Sequence, residues 1–377
     1  MSTQLSVAEI FRANHKKFIE AYGKKIPAYQ KRALASLMRC RSPQLGGHVY
    51  RCQECGYEVT HYNSCRHRGC PQCEGSKEAQ WLLARESELL PTHYFHVVFT
   101  VPHVLNELIF NNQRECYSIF FKAVVQTLQT VAKNALEAKL GFFAIMHTWG
   151  QTLEFHPHIH CVVPGGALKA DGSWIATSKK HRYLFPHKVL ALVFRGIFIK
   201  MLKAASRKGT LTHSNNFESL LNESTKLSWV VHAQAPFASA LHVLKYLSRY
   251  TRKVALSNSR LVFHKNNQVT FTWKDYADRC QTKNCTLSAT EFIRRFLMHI
   301  PPPGFVRIRH YGFMTGKNKK LKLQAIKQAI LGLLPEIIHP KTDNSFQPGL
   351  CCKCGKHSLV LNREILPLRP ILELDSS

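Results

Sequence analysis

Leu153-Glu154-Phe155-His156-Pro157-His158-Ile159-His160-Cys161-Val162-Val163 sets three histidines at alternate positions and then runs on into apolar residues. In an extended segment successive side chains point to opposite faces. The three imidazoles therefore share one face while Ile159 points into a core. Apolar packing has no use for imidazoles at period two, and the alternation reads as a metal platform built from neutral ring nitrogens. His158 and His160 are its central pair. His156, Gln151 and Glu154 are the candidates for a third ligand. Read this way, the segment is an extended strand with one imidazole face and one apolar face.

The flanking sequence extends that sheet. GFFAIMHTW (141–149) reads as a second strand, with Gly150 and Gln151 near the turn between the two, and Gly165, Gly166, Asp171 and Gly172 mark a closing loop. HYFHVVFTVPH (93–103) is aromatic and β-branched and is ended by Pro102, which predicts a buried strand; SWVVHAQ (228–234) predicts another. Helical patterns fall at about 80–90, 111–140 and 239–252, and the basic stretch 173–227 reads as a mostly helical insertion. RLVFHKNNQVTFTW (260–273) predicts a hairpin about Asn266 and Asn267, and TEFIRRFLMHI (290–300) a short amphipathic helix stopped by three prolines. Before all of this, residues 1–39 carry Ile10, Phe11, Phe18 and Ile19 at helical spacing.

A second chemical group lies at Lys245-Tyr246-Leu247-Ser248-Arg249-Tyr250-Thr251-Arg252-Lys253. Two tyrosines at i and i+4 share a helix face, so both hydroxyls can reach one site. A phenol with a pKa near 10 is a weak nucleophile at neutral pH. Beside a divalent ion that polarises a phosphate, with Arg249, Arg252 and Lys253 to screen charge and bind DNA, its attack becomes feasible.

The cysteines supply a third group. Cys52-x-x-Cys55 and Cys70-x-x-Cys73 have the paired spacing of a zinc ribbon, with Cys65 close by and Cys40, His48, His61 and His67 within reach of a second ion. A segment this polar and short cannot fold around an apolar core, so the zinc reads as structural. Cys351, Cys352 and Cys354, with His357, form half of a further knuckle. The chain carries 52 Lys and Arg against 23 Asp and Glu, a net charge of +29 spread along its length, which calls for a polyanionic partner. No secretory leader pattern and no membrane-spanning apolar run is evident, so a cytoplasmic protein that does not enter membranes is expected, with its cysteines as ligands and buried thiols.

These motifs, together with LGGHVYRCQECG, NSCRHRGCPQC, YFHVVFTVPH, HTWGQTLEFHPHIHCVVPGGAL, YLSRYTRKVALSN, VTFTWKDY and GFVRIRHYG in that order, resemble the rolling-circle HUH transposases of the insertion sequence ninety-one family from about residue 40 to 325. The resemblance implies an α+β fold: an HUH nuclease domain with a central antiparallel sheet flanked by helices, preceded by a small zinc-binding domain that helps recognise transposon ends. The expected division is N-terminal helices at 1–39, zinc-binding domain at 40–90, catalytic domain at 91–325 with the insertion at 173–227, and a tail at 326–377. It implies a metal-dependent (Mg²⁺ or Mn²⁺) enzyme that nicks and rejoins single-stranded DNA through 5′-phosphotyrosine intermediates. In it His158 and His160 are ligands, Tyr246 and Tyr250 nucleophiles, and Zn²⁺ is structural. The competing readings are a zinc-dependent DNA-binding regulator without catalysis, which needs neither the histidine alternation nor the tyrosines, and a hydrolase using activated water, which leaves no covalent adduct.

Overall fold

Ser6 opens the first helix, α1 (Val7–Tyr22). Its hydroxyl accepts from the Glu9 amide and the Glu9 carboxylate accepts from the Ser6 amide, so two amides at the helix start are satisfied. Val7, Ile10, Phe11, Asn14 and Phe18 form its buried stripe. Pro27 precedes α2 (Ala28–Arg39), and the strands β1 (Gly47–Cys52) and β2 (Glu58–Tyr62) pair as an antiparallel hairpin. The structure is a computed structural model that describes residues 5–73, 86, 88–177, 184–237, 255–276, 278–331 and 349–368. The helix expected over 239–252 lies outside these residues, and that over 80–90 largely so.

From residue 94 the chain builds β3 (Tyr94–Thr100), α3 (Asn106–Asn111), α4 (Gln113–Leu136), β4 (Phe142–Trp149) and β5 (Phe155–Pro164). A two-stranded hairpin of β6 (Gly166–Leu168) and β7 (Trp174–Ala176) follows, then α5 (His187–Arg207), α6 (Phe217–Lys226) and β8 (Val230–Phe237). Next come β9 (Leu261–Lys265), β10 (Gln268–Asp275), β11 (Gln281–Ser288) and α7 (Ala289–Met298), and after them β12 (Ile308–Tyr311), α8 (Lys319–Leu331), β13 (Gly349–Leu350) and β14 (His357–Ile365). Asn266 and Asn267 both take positive φ, 51° and 59°, as the expected two-residue hairpin turn between β9 and β10 requires. No helix among the described residues is long and apolar enough to cross a membrane.

The chain packs as two compact units, each drawn from separated stretches: 1–77, 256–300 and 337–377 in the first, 78–255 and 301–336 in the second. This corrects the linear division into successive domains. Residues 256–300, expected in the catalytic domain, pack with the N-terminal helices, where Phe296 of α7 meets Phe11 of α1 edge-on at 5.3 Å. Strand β14, expected in a separate tail, pairs with β1 and makes a sheet of order β13-β14-β1-β2.

The second unit holds a five-stranded sheet of order β12-β4-β5-β3-β8 in which every neighbour is antiparallel. On one face Phe95, Val97 and Phe99 of β3, Ala144 and Met146 of β4, and Ile159, Cys161 and Val163 of β5 are buried under α4 and α5. Leu190, Phe194, Phe198 and Leu202 of α5 belong to this core, with Phe194 edge-on to Phe99 at 5.2 Å. The stretch read as an insertion thus supplies part of the main core. Its basic exposed positions mask a buried stripe at four-residue spacing. On the opposite face Tyr94, Phe143, Ile145 and Val162 pack with Phe313 and with Leu323 and Ile326 of α8.

Candidate metal centre and cysteine clusters

Strand β5 is the central strand, and its alternation sorts its side chains. Ile159 and Cys161 enter the helix-covered core, so His158 and His160 project from the other face, one step along from the apolar Val162. The neighbouring strands add imidazoles to that face. In register His147 of β4 stands opposite His158, and His96 of β3 stands opposite Val162. His147, His158 and His160 bring one ligand atom each to within 4.8 Å of one another. Ring centroids are 4.5 Å apart for His147 and His160 and 4.8 Å for His158 and His160. His147 and His160 are buried.

Two hydrogen bonds orient the rings. His158 Nδ1 lies 2.7 Å from the His156 carbonyl oxygen and can only donate to it, so Nε2 of the neutral ring carries the lone pair. His160 Nδ1 lies 2.8 Å from His96 Nε2, in rings that are parallel to within 2°. Trp149 stacks on His147 at 4.8 Å, and the Arg307 guanidinium sits over Trp149 at 5.4 Å.

The expected pair His158 and His160 is therefore brought together, and the third member beside it is His147. His156, one of the third-ligand candidates, is exposed and does not join this group, although its carbonyl orients His158. Glu154 falls at the turn between β4 and β5 and does not join it either, and Gln151 lies in the same turn. Sequence reading missed His147 and His96 because each reaches the cluster through strand register. The signal was present in GFFAIMHTW, where Phe143, Ile145 and His147 share a face. Tyr246, Tyr250, Arg249, Arg252 and Lys253 lie outside the described residues.

Burial lowers the pKa of His158 from its ordinary value near 6.5 to about 4 and that of His160 well below it, so both rings are neutral at pH 7 and able to bind a cation. The unfolded chain takes up protons on these rings before the folded one does. Without added divalent ion, stability is expected to fall as pH drops from about 6.5 towards 4. Thermal melts across that window should show the decline, and a His158→Gln variant should show a shallower one. Equal slopes would remove His158 as a contributor.

The cysteines form two groups. Cys40, at the end of α2, meets Cys70 at 3.4 Å and Cys73 at 3.5 Å, and Cys65 lies 3.7 Å from Cys73. Contact with Cys65 and Cys70 pulls the Cys40 thiol down to about 2, while contact with Cys40 and Cys65 pushes Cys70 far up. Sulfurs this close and not joined in disulfides are placed to share a cation, and the all-sulfur set suits tetrahedral zinc. The single set expected from Cys52, Cys55, Cys70 and Cys73 is not formed. Cys52 and Cys55 instead meet Cys351 and Cys354. His67 is engaged locally, its Nδ1 accepting from the Gly69 amide at 3.0 Å.

A family model described as "Putative transposase" matches residues 141–322, which include β4 and β5, and one described as "Transposase zinc-binding domain", of the IS91 type, matches residues 10–101. The chain is similar to "Putative transposase y4qJ" of Sinorhizobium fredii, with 42% identity over 342 residues, 87% of this chain and 84% of the relative. It is also similar to the transposase for insertion sequence element IS801 of Pseudomonas savastanoi pv. phaseolicola, with 26% identity over 335 residues, 85% of this chain and 81% of that one. No solved structure matches. With the cluster of Cys40, Cys65, Cys70 and Cys73 and the histidine-bearing sheet inside matched segments, the chain belongs to the insertion sequence ninety-one family of transposases and carries that family's zinc-binding domain in its N-terminal part.

Proposed function

We infer that this transposase nicks and rejoins single-stranded DNA at insertion sequence ends by rolling-circle chemistry of the HUH type, with Tyr246 and Tyr250 as nucleophiles. The observation that carries the reading is the trio His147, His158 and His160 on one sheet face, with His147 and His160 buried. His158 and His160 are neutral imidazoles held in fixed orientation, which fits a divalent cation. A set of three imidazoles suits Mn²⁺ better than the harder Mg²⁺. A bound divalent ion would draw electron density from the scissile phosphate and make it more electrophilic.

The protein's own part is nucleophile and orientation. A tyrosine oxygen bonds to phosphorus, the bond from phosphorus to the 3′ oxygen breaks, and the phenolic proton ends on the released 3′-hydroxyl. The 5′-phosphotyrosine keeps the phosphodiester energy, so a later 3′-hydroxyl can reverse the step without ATP. Two tyrosines let one end stay held while another is cut. On the zinc-binding side, Tyr50 lies edge-on to His61 at 5.6 Å with His48 adjacent and Arg41 and Arg66 alongside, an arrangement suited to stacking bases beside phosphate contacts.

The test is incubation of the full chain with labelled single-stranded DNA carrying the element's ends, with Mn²⁺ or Mg²⁺. A denaturant-resistant adduct is expected, and its absence across all ends defeats the reading. His147→Ala should raise the Mn²⁺ concentration for half-maximal cleavage by about a hundredfold, the upper range for weakening a metal site. His156→Ala should change it by no more than about twofold, because its carbonyl survives the substitution. The reverse ranking would show that the third ligand is misassigned.

A further inference from the structure

Two short turns of this chain, nearly three hundred residues apart, are built alike. In Cys52-Gln53-Glu54-Cys55-Gly56 the Gly56 amide donates to the Cys52 carbonyl at 3.0 Å and the Cys52 amide donates to the Tyr57 carbonyl at 2.9 Å. In Cys351-Cys352-Lys353-Cys354-Gly355 the Gly355 amide donates to the Cys351 carbonyl at 2.9 Å and the Cys351 amide to the Lys356 carbonyl at 2.8 Å. Both glycines take the left-handed conformation that ends such a turn, with φ of 68° and 72°. Each turn presents its first and fourth residues on one side, as a cysteine knuckle does, and the Cys55 amide points at Cys52 Sγ from 3.4 Å.

The sheet brings the two knuckles face to face. β14 pairs with β1 from Gly47↔Ile365 to Cys52↔Leu359, so the turn before β14 meets the turn after β1. Cys52 Sγ lies 3.7 Å from Cys354 Sγ and Cys55 Sγ lies 3.7 Å from Cys351 Sγ. That separation is far longer than a disulfide, at about 2.05 Å. It is close to the edge of a tetrahedron with metal-to-sulfur bonds of about 2.3 Å, roughly 3.8 Å. Ser358 Oγ, 3.0 Å from Cys52 Sγ, is placed to donate a hydrogen bond to a ligating thiolate. Cys352 is exposed and outside the group.

We propose that Cys52, Cys55, Cys351 and Cys354 hold a zinc ion of their own, separate from the one at Cys40, Cys65, Cys70 and Cys73, and that it clasps the hairpin of residues 349–365 onto the N-terminal zinc-binding region. Residues 351–354 lie beyond both matched family segments, so the clasp makes a distant stretch part of the module that the N-terminal sequence begins. Each cysteine pair alone is half a site.

The test counts metal by elemental analysis in the full chain carrying His160→Ala, which takes the imidazole trio out of the count. Two zinc ions per chain are expected, and Cys352→Ser should retain both. Cys351→Ser with Cys354→Ser should retain one, Cys52→Ser with Cys55→Ser should also retain one, and the quadruple variant should lose no more than either pair. A single zinc in the parent, both zincs kept by either pair variant, a second loss in the quadruple variant, or iron in place of zinc would overturn the clasp. X-ray absorption on the parent protein does not depend on any cysteine variant folding. It should show an all-sulfur shell for both ions, and a shell mixed with nitrogen would also overturn it.

Discussion

The chain with Tyr246→Phe and Tyr250→Phe is expected to form no denaturant-resistant adduct with single-stranded DNA while binding that DNA as tightly as before. Phenylalanine keeps the aromatic ring and removes only the attacking oxygen, so whatever packing the two rings provide survives and the covalent step does not. Loss of a nucleophile typically costs about 10⁴-fold or more, which puts the product at background. The two single variants separate the roles: if both tyrosines act in turn, each should still form an adduct but should fail to complete strand exchange. Electrophoresis of labelled DNA under denaturing conditions reads the first outcome and a joined-strand product assay the second. An adduct that survives in the double variant would place the nucleophile elsewhere.

His160→Ala should reduce metal-dependent cleavage by about a thousandfold, the equivalent of the several kcal/mol that a polarising cation contributes to a phosphoryl transition state. Its effect exceeds that of His147→Ala because His160 is the hub of the cluster. Its ring lies within 5.1 Å, centroid to centroid, of His96, His147 and His158, and its Nδ1 is joined to His96. Removing it takes away one imidazole of the trio and a partner of His96 together. The helix-covered core is on the opposite face, so the fold should persist, with circular dichroism unchanged in shape. Cleavage within tenfold of the unmodified chain would mean that the imidazole face is not where the chemistry occurs.

What could be read from residues alone followed the reach of each signal. The strand at 153–163 was legible because period two is a local property of a half-buried strand, and the Asn266-Asn267 turn because two positive φ angles suit few other residues. His147 was not legible as a neighbour of His158, since that contact depends on the register of β4 against β5, which the two sequences do not state separately. The cysteine knuckles show the same limit. Each C-x-x-C turn can be recognised in place, but the nearer partner in sequence, Cys70 and Cys73, was the wrong one for Cys52 and Cys55. The helix α5 was read as part of an insertion because the basic residues of 173–227 mask its five buried positions, Leu190, Phe194, Phe198, Leu202 and Ala205, which make it part of the core.

The pairing of β1 with β14 also sets an order of events during synthesis. Cys52 leaves the ribosome 302 residues ahead of Cys354. At about 5 to 20 residues per second that gap lasts roughly 15 to 60 seconds. Throughout it the exposed edge of β1 waits for a strand not yet made, while the sheet bearing the histidines has all its own strands once residue 311 has emerged. The histidine sheet can therefore be complete before the four-stranded sheet, which is finished only when translation has passed residue 365. A nascent chain stopped short of that point carries an unfinished sheet, with the edge of β1 still unpaired on the side that β14 covers.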